Sequence, residues 1–440
     1  MGSHQSTIVR MLLLMGTQWA LIFCREEGSV YRLSFGSCFW HTFLSIDSDI
    51  FRSLADRRPD SFVWLGDAAY TDVFNQSNQQ YSLLPNRSRY PEIYERSKND
   101  PNYALIRDST KIYGTWDDHD FGIDNGGKDN PVKDELRQHF LDFLDEPKDS
   151  PRRTRQGGLY ESYFLDKDKK IKLILLDNRY SKDEESDPRP EDEKTTLGEE
   201  QEEWLRQEIM NSTAYFTVVA AGMQIIPDDR LQEHFYRRSR EVVLSTPNPR
   251  TRLVLISGDV HYGEVLVDQC SVHLRGYPVK EYTSSGITHS EAEDPKWWHL
   301  VYHWGLWAVP DVFNSPVDRY GYRNLGMIDF HIASTLEASS YRFYLLSASN
   351  EVVLEDSIHP QYFGRSPLSS PDIPAYRYCR EELKRYHPRW AIISLKIMDW
   401  NDPITQIAWT TVSILAIGTS MLWRIFIRKD IDTGNDKKDK

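Results

Sequence analysis

The sequence predicts an α/β protein, and three observations carry that expectation. Short apolar runs of strand length recur along the chain, bounded by turn-forming residues. Where such runs end, polar side chains able to bind metal appear, and this happens five times. Open α/β sheets place their functional groups at that carboxyl edge. Past Asn324 the runs follow one another closely, as successive antiparallel strands do.

Taken in order, Tyr31–Phe35 reads as a strand leading into Gly36–Phe39, and Ser61–Leu65 as a second, ending in Gly66–Tyr70. Residues 75–100 are polar and read as an exposed excursion. Asn130-Pro131 suits a helix start, with Val132, Leu136, Phe140 and Phe143 at helical spacing behind it. Ile171–Leu176 is a buried strand ending in Asp177–Tyr180, and Lys182–Lys194 an acidic, solvated loop. A polar helix over Leu197–Ile209, anchored by Trp204 and Leu205, precedes strands at Tyr215–Ala221 and Arg252–Ile256. The last of these ends in Ser257–Gly263. Met327–Ile332, Tyr341–Ser347 and Glu351–Leu354 are the antiparallel strands. There are no internal repeats.

The chain has 440 residues, enough apolar content (40%) for a sizeable core, and a net charge of −13. That balance argues against nucleic acid as a partner. An anionic substrate would need local positive charge, which a metal ion supplies. Of the four cysteines, Cys24, Cys38, Cys270 and Cys379, none forms a C-x-x-C pair. A zinc knuckle or thioredoxin-like site is therefore not expected.

Both ends suggest a membrane. Residues 1–24 contain Arg10 and then an apolar run to Cys24, the pattern of a signal peptide or N-terminal anchor. Residues 404–427 are apolar and free of acids, flanked by tryptophans and followed by Arg428 and Lys429. This predicts a C-terminal transmembrane helix, with residues 25–402 lumenal and 428–440 a cytosolic tail. Sequons at Asn75, Asn86 and Asn211 suit glycosylation on the lumenal side. Lys437 and Lys438 resemble a dilysine retrieval signal, giving a type I protein of the endoplasmic reticulum that would engage the retrieval machinery.

Gly114–Asn125 concentrates four acids, an Asn and a His directly after Lys111–Tyr113. Unpaired buried charge is too costly for packing to require this, so either a metal or acid/base site, or a solvated Asx-rich turn, accounts for it. With Cys38, Asp67, Tyr70, Asp177, Arg179, Asp259 and His261, it brings carboxylates, imidazoles, a phenol and a thiol to strand ends. Such donors suit a trivalent iron beside a harder divalent ion, and metal pairs clamp phosphoesters during hydrolysis. Asp67 would bridge the ions, His119 protonate the leaving oxygen, and Arg179 grip two phosphate oxygens. Each residue also has a plainer reading. Cys38 is then a small buried hydrophobe, Tyr70 a core aromatic, Arg179 a partner of Asp177, and His119 a satisfied hydrogen-bonding histidine.

Gly36–Cys38, Gly66-Asp67 with Tyr70, Trp116–Asp120, Leu176–Arg179, Gly258–His261 and Thr283–Gly286 together resemble the motif series of the alkaline phosphatase D (PhoD-like) family of calcineurin-like metallophosphoesterases. The resemblance runs from about Leu33 to Gly326. It implies an α/β fold in four αββα layers, a sandwich of two mixed sheets. It implies hydrolysis of phosphomonoesters or phosphodiesters by metal-bound hydroxide. Iron would be held by Cys38, Asp67, Tyr70 and His261, and calcium by Asp67, Asp259 and a residue of the Trp116 cluster, with Asp124 and Asn125 both candidates. The family favours Asn-Asp or paired Asn where this chain has Asp124-Asn125.

With Cys38 a ligand, Cys270 and Cys379 are the remaining lumenal cysteines and can pair in an oxidising compartment. Lys296–Trp307 is strongly aromatic and reads as a core-packed helix, or else as a membrane-facing lid favouring a lipid or glycan phosphoester. The alternative to hydrolysis is a degenerate lumenal protein that binds a phospholipid or phosphoglycan.

Overall fold

The structure is a computed structural model describing residues 29–40, 48–75, 80–227, 233, 235–290, 292, 314–359 and 370–385. The fifteen strands among the described residues are numbered in chain order. Two sheets carry the fold. The first runs β15 (Val352–Ile358), β14 (Ser340–Ser347), β13 (Asn324–Ile332), β1 (Ser29–Gly36), β2 (Ser61–Leu65), β5 (Lys111–Thr115). β1, β2 and β5 are parallel, while β13, β14 and β15 join antiparallel. The second runs β12 (Asn314–Tyr320), β10 (Gly263–Asp268), β11 (Val279–Ser284), β9 (Arg252–Ser257), β8 (Phe216–Ala220), β7 (Ile171–Leu175), β6 (Glu161–Phe164). Its β7, β8, β9 and β11 are parallel. β3 (Asp72–Asn75) and β4 (Gln80–Leu83) form a separate hairpin.

Alternation along the strands divides the core. Leu33, Phe35, Val63 and Leu65 join the second sheet in one apolar cluster, so the two sheets pack face to face. Phe62 and Trp64, one residue out of phase, turn the other way. There they meet helices Ile50–Arg57, Tyr90–Lys98, Pro101–Arg107 and Lys133–Phe143. Leu205 and Ile209 of helix Gly198–Met210, with Val242, Val243 and Leu244 of helix Arg237–Ser245, pack on the second sheet. This is a mixed α/β fold of two large sheets.

Some expectations change. The polar segment 75–100 is not simply an excursion, because Tyr90, Tyr94 and Ser97 of helix Tyr90–Lys98 are buried. The Lys182–Lys194 loop is solvated only in its middle. Lys182, Asp183 and Lys194 are buried, with Lys128 and Thr195 donating to Asp183. Long charged side chains can be buried where partners await them, and spacing alone does not reveal that.

Among the described residues no helix is long and apolar enough to cross a membrane. The segments 1–24, 296–307 and 404–427 and the tail 428–440 lie outside the described residues. Asn86 is exposed, its side chain accepting the Ser88 N–H, and Asn211 is exposed after helix Gly198–Met210; Asn75 closes β3. Cys270 and Cys379 are joined by a disulfide with Cα atoms 5.7 Å apart. That bond ties helix Ile373–Arg385 to the core, where Asp268 also receives Arg380 and Tyr376.

Candidate metal centre

Parallel β1, β2 and β5 deliver Cys38, Asp67 and the Trp116–Asn125 segment to one edge, and β7 and β9 deliver Asp177–Arg179 and Asp259–His261. The chain must turn sharply as it leaves each strand. Cys38, Asp67, Asn125, Asp259 and His261 all have positive φ, between 51° and 75°. This left-handed region disfavours side chains by roughly 1–2 kcal/mol per residue, so the surroundings must hold it. They do: Phe39 N–H donates to the Asp67 carbonyl, Thr288 and His289 N–H groups to the Cys38 carbonyl, and His261 N–H to Ser285 Oγ.

Three groups of side chains converge, each with ligand atoms within 4.8 Å of one another: Cys38, Asp67 and His261; Asp67, Asp118 and His119; Asp117, Asp118 and Asp259. Asp67 belongs to the first two and Asp118 to the last two, so the groups form one chain of donors. Cys38 Sγ lies 3.4 Å from Asp67 Oδ2 and 3.0 Å from Ser285 Oγ. Tyr70 stacks on His119, ring centroids 4.1 Å apart, and its hydroxyl lies 3.1 Å from His289 Nδ1.

His119 Nδ1 lies 2.8 Å from Asp72 Oδ2. Burial disfavours the imidazolium, but the charges of Asp72, Asp118 and Asp67 outweigh it and hold its pKa well above the usual histidine range. Burial pushes Asp67 far above the carboxylate range, against His119 and with the help of Asp118 and Asp117. Cys38 is pushed up likewise, by burial first and Asp67 second.

Asp117 is fully buried against Gly66 and Gly222. A Cβ on Gly66 would lie 2.2 Å from the Asp117 Cβ, and one on Gly222 2.7 Å from its carboxyl carbon. Only glycine permits that approach. Asp117 Oδ1 accepts from Asn178 and from Arg179 Nε, while Oδ2 is buried without a hydrogen-bond partner.

The donor set fits metal ions. Burial and neighbouring acids push up the pKa of Asp67 and Cys38, and Asp117 Oδ2 is left unpaired. Bound cations would relieve both costs. Cys38, Asp67 and His261 form the softer end of the donor set, and Asp117, Asp118 and Asp259 its hard oxygen end.

Two sequence assignments are revised. Arg179 does not face Asp177 with its guanidinium, nor does it present a free bidentate edge. It is fully buried, with Nε on Asp117 and Nη1 on Glu233, and only Nη2 lacks a partner. Asp177 instead accepts Trp116 Nε1–H and the N–H groups of Arg179 and Tyr180. Asp124 is exposed at the rim and outside the three groups, whereas Asn125 donates its peptide N–H to Asp118 Oδ2. Sequence reasoning left open which residue of the Trp116 cluster is a donor and missed Asp72, Glu233 and His289. Asp117 and Asp118 lay in the acidic cluster already singled out; Glu233 and His289 carried no local signal.

Such a site on this fold defines a metal-dependent phosphoester hydrolase class. The PhoD-like phosphatase family profile matches residues 35–295, and the chain belongs to that family. A solved structure described as "Structure of PhoD" superposes with a TM-score of 0.51 at 14% identity, over 81% of this chain and 76% of that one. At that identity the likeness concerns the fold. No curated protein matches the chain.

Proposed function

We propose that the chain hydrolyses a phosphodiester or phosphomonoester directly, without a covalent enzyme intermediate. One observation carries this: Asp67 and Asp118 link three ligand groups into a continuous donor set at the carboxyl edge of both sheets. Cys38, Asp67, Tyr70 and His261 would hold iron, and Asp67, Asp117, Asp118 and Asp259 calcium, with Asp124 and Asn125 at its rim. Two cations there would supply charge neutralisation for the phosphate and the Lewis acidity that activates water. His119, oriented by Asp72, donates a proton to the leaving oxygen. Arg179 contributes Nη2 alone, its other nitrogens being fixed by Asp117 and Glu233.

The test compares an aryl phosphodiester with an aryl phosphomonoester, using the full chain and Asp259→Asn as control. Diester turnover lost in the variant supports the reading and directs attention to lipid or glycan diesters. A monoester preference keeps the site and changes the substrate class. Silence on both substrates with metal retained would overturn hydrolysis in favour of phospho-ligand binding.

We also infer a type I topology in the endoplasmic reticulum, with residues 25–402 lumenal and 404–427 crossing the membrane. The Cys270–Cys379 disulfide suits an oxidising lumen, and Asn86 and Asn211 are exposed for glycosylation. A glycosidase-sensitive mass shift is expected; unmodified Asn86 and Asn211 would count against lumenal placement.

A further inference from the structure

His289 belongs to none of the motifs discerned in the sequence, yet it lies between two candidate iron ligands. It is buried, its Nδ1 is 3.1 Å from Tyr70 Oη, and its ring centroid is 3.8 Å from that of His261. Trp40 meets it edge-on at 5.4 Å and also stacks on Tyr70 at 4.9 Å. Its backbone is equally committed: the N–H groups of Thr288 and His289 both donate to the carbonyl of Cys38, a third candidate ligand. Ser285, four residues earlier, touches Cys38 Sγ and receives the His261 N–H. The segment after β11 thus braces Cys38, Tyr70 and His261.

A tyrosine that ligates a metal does so as phenolate, which has no hydrogen to donate. The partner at 3.1 Å must then donate, which requires the Nδ1–H form of the ring. A hydrogen bond to a charged acceptor is stronger than a neutral one and directional. We propose that His289 is a positioning residue for the metal centre: its Nδ1–H fixes and stabilises the Tyr70 phenolate while its ring props His261. This rests on the metal-hydrolase reading and assigns His289 no contact with the substrate.

Full-length protein and its variants would be loaded with iron, and retention measured by chelator competition beside thermal melting of the chelated forms. His289→Phe keeps an aromatic ring without the donor, and His289→Gln restores an amide donor. The expected result is about tenfold or greater weakening of metal retention in His289→Phe, substantial recovery in His289→Gln, and an unchanged melting temperature without metal. In a Tyr70→Phe background the effect of His289→Phe should vanish, because its acceptor has gone. An undiminished effect in that background, or equal losses in the Phe and Gln variants, would overturn the proposal. If the unsubstituted protein retains no metal, the hydrolase reading fails and His289 has no phenolate to position. Retention with normal hydrolysis in every His289 variant would remove only the role of His289.

Discussion

Cys38 Sγ lies 3.4 Å from Asp67 Oδ2, although the two residues leave different strands, and both stand in left-handed backbone. The other oxygen of Asp67 accepts the His119 N–H at 3.3 Å. One carboxylate therefore joins the first donor group to the second, which makes it the most informative residue to alter.

Asp67→Asn should reduce hydrolysis to background and lower the content of both metals, read by elemental analysis. The chelated variant should be as stable as the parent or more so, since burial and neighbouring acids already disfavour this charge. A loss of more than about 1 kcal/mol in the chelated form would show that Asp67 is a structural partner instead.

Chelated protein should become less stable as pH rises. Burial pushes Asp117 up to about 6 and Asp120 up to about 8. With folded pKa values above unfolded ones near 4, the folded state holds more protons between these limits. The stability from both groups is therefore present below about pH 4 and lost as pH passes 6 and then 8. Bound metal offsets the ionised acids, so the gap in melting temperature between loaded and chelated protein should widen from pH 5 to pH 8. Parallel curves would contradict this.

Arg179→Ala should destabilise the fold by about 3–5 kcal/mol in urea titration. It strands Asp117 and Glu233, both buried, and leaves Lys182 as the only described cation on Glu233. Arg179→Lys should recover part of the stability and little of the turnover, because a single ammonium cannot span Asp117 and Glu233 while reaching a phosphate. Full activity in Arg179→Lys would remove the guanidinium from the site.

Cys379→Ser should cost about 2–4 kcal/mol by releasing helix Ile373–Arg385, while retention of metal at Cys38 stays unchanged. Denaturant titration and metal analysis separate the two effects. Loss of metal in this variant would reveal a coupling between helix and centre through Asp268, Arg380 and the Ile226 carbonyl.

The strands were legible because burial imposes a pattern on them. Ser61–Leu65 and Ile171–Leu175 are mostly apolar and buried at every position, as parallel strands covered on both faces must be. The carboxyl-edge rule then led to Cys38, Asp67, the Trp116 cluster, Asp177–Arg179 and Asp259–His261, because their position relative to a strand end is a local property.

What tertiary structure alone decided is which groups face one another. Asp118 enters the donor chain and Asp124 stays at the rim because the turn through Gly122 and Asn125 folds back, placing the Asn125 N–H on Asp118. Arg179 lost its open edge to Glu233, 54 residues away, and His289 met Tyr70 across 219 residues. Such encounters leave no periodicity, since hydrogen bonds and ion pairs between distant segments depend on packing rather than spacing. The sequence by itself determined the sheet edges and the kinds of donor brought to them; the packing of two sheets decided their partners.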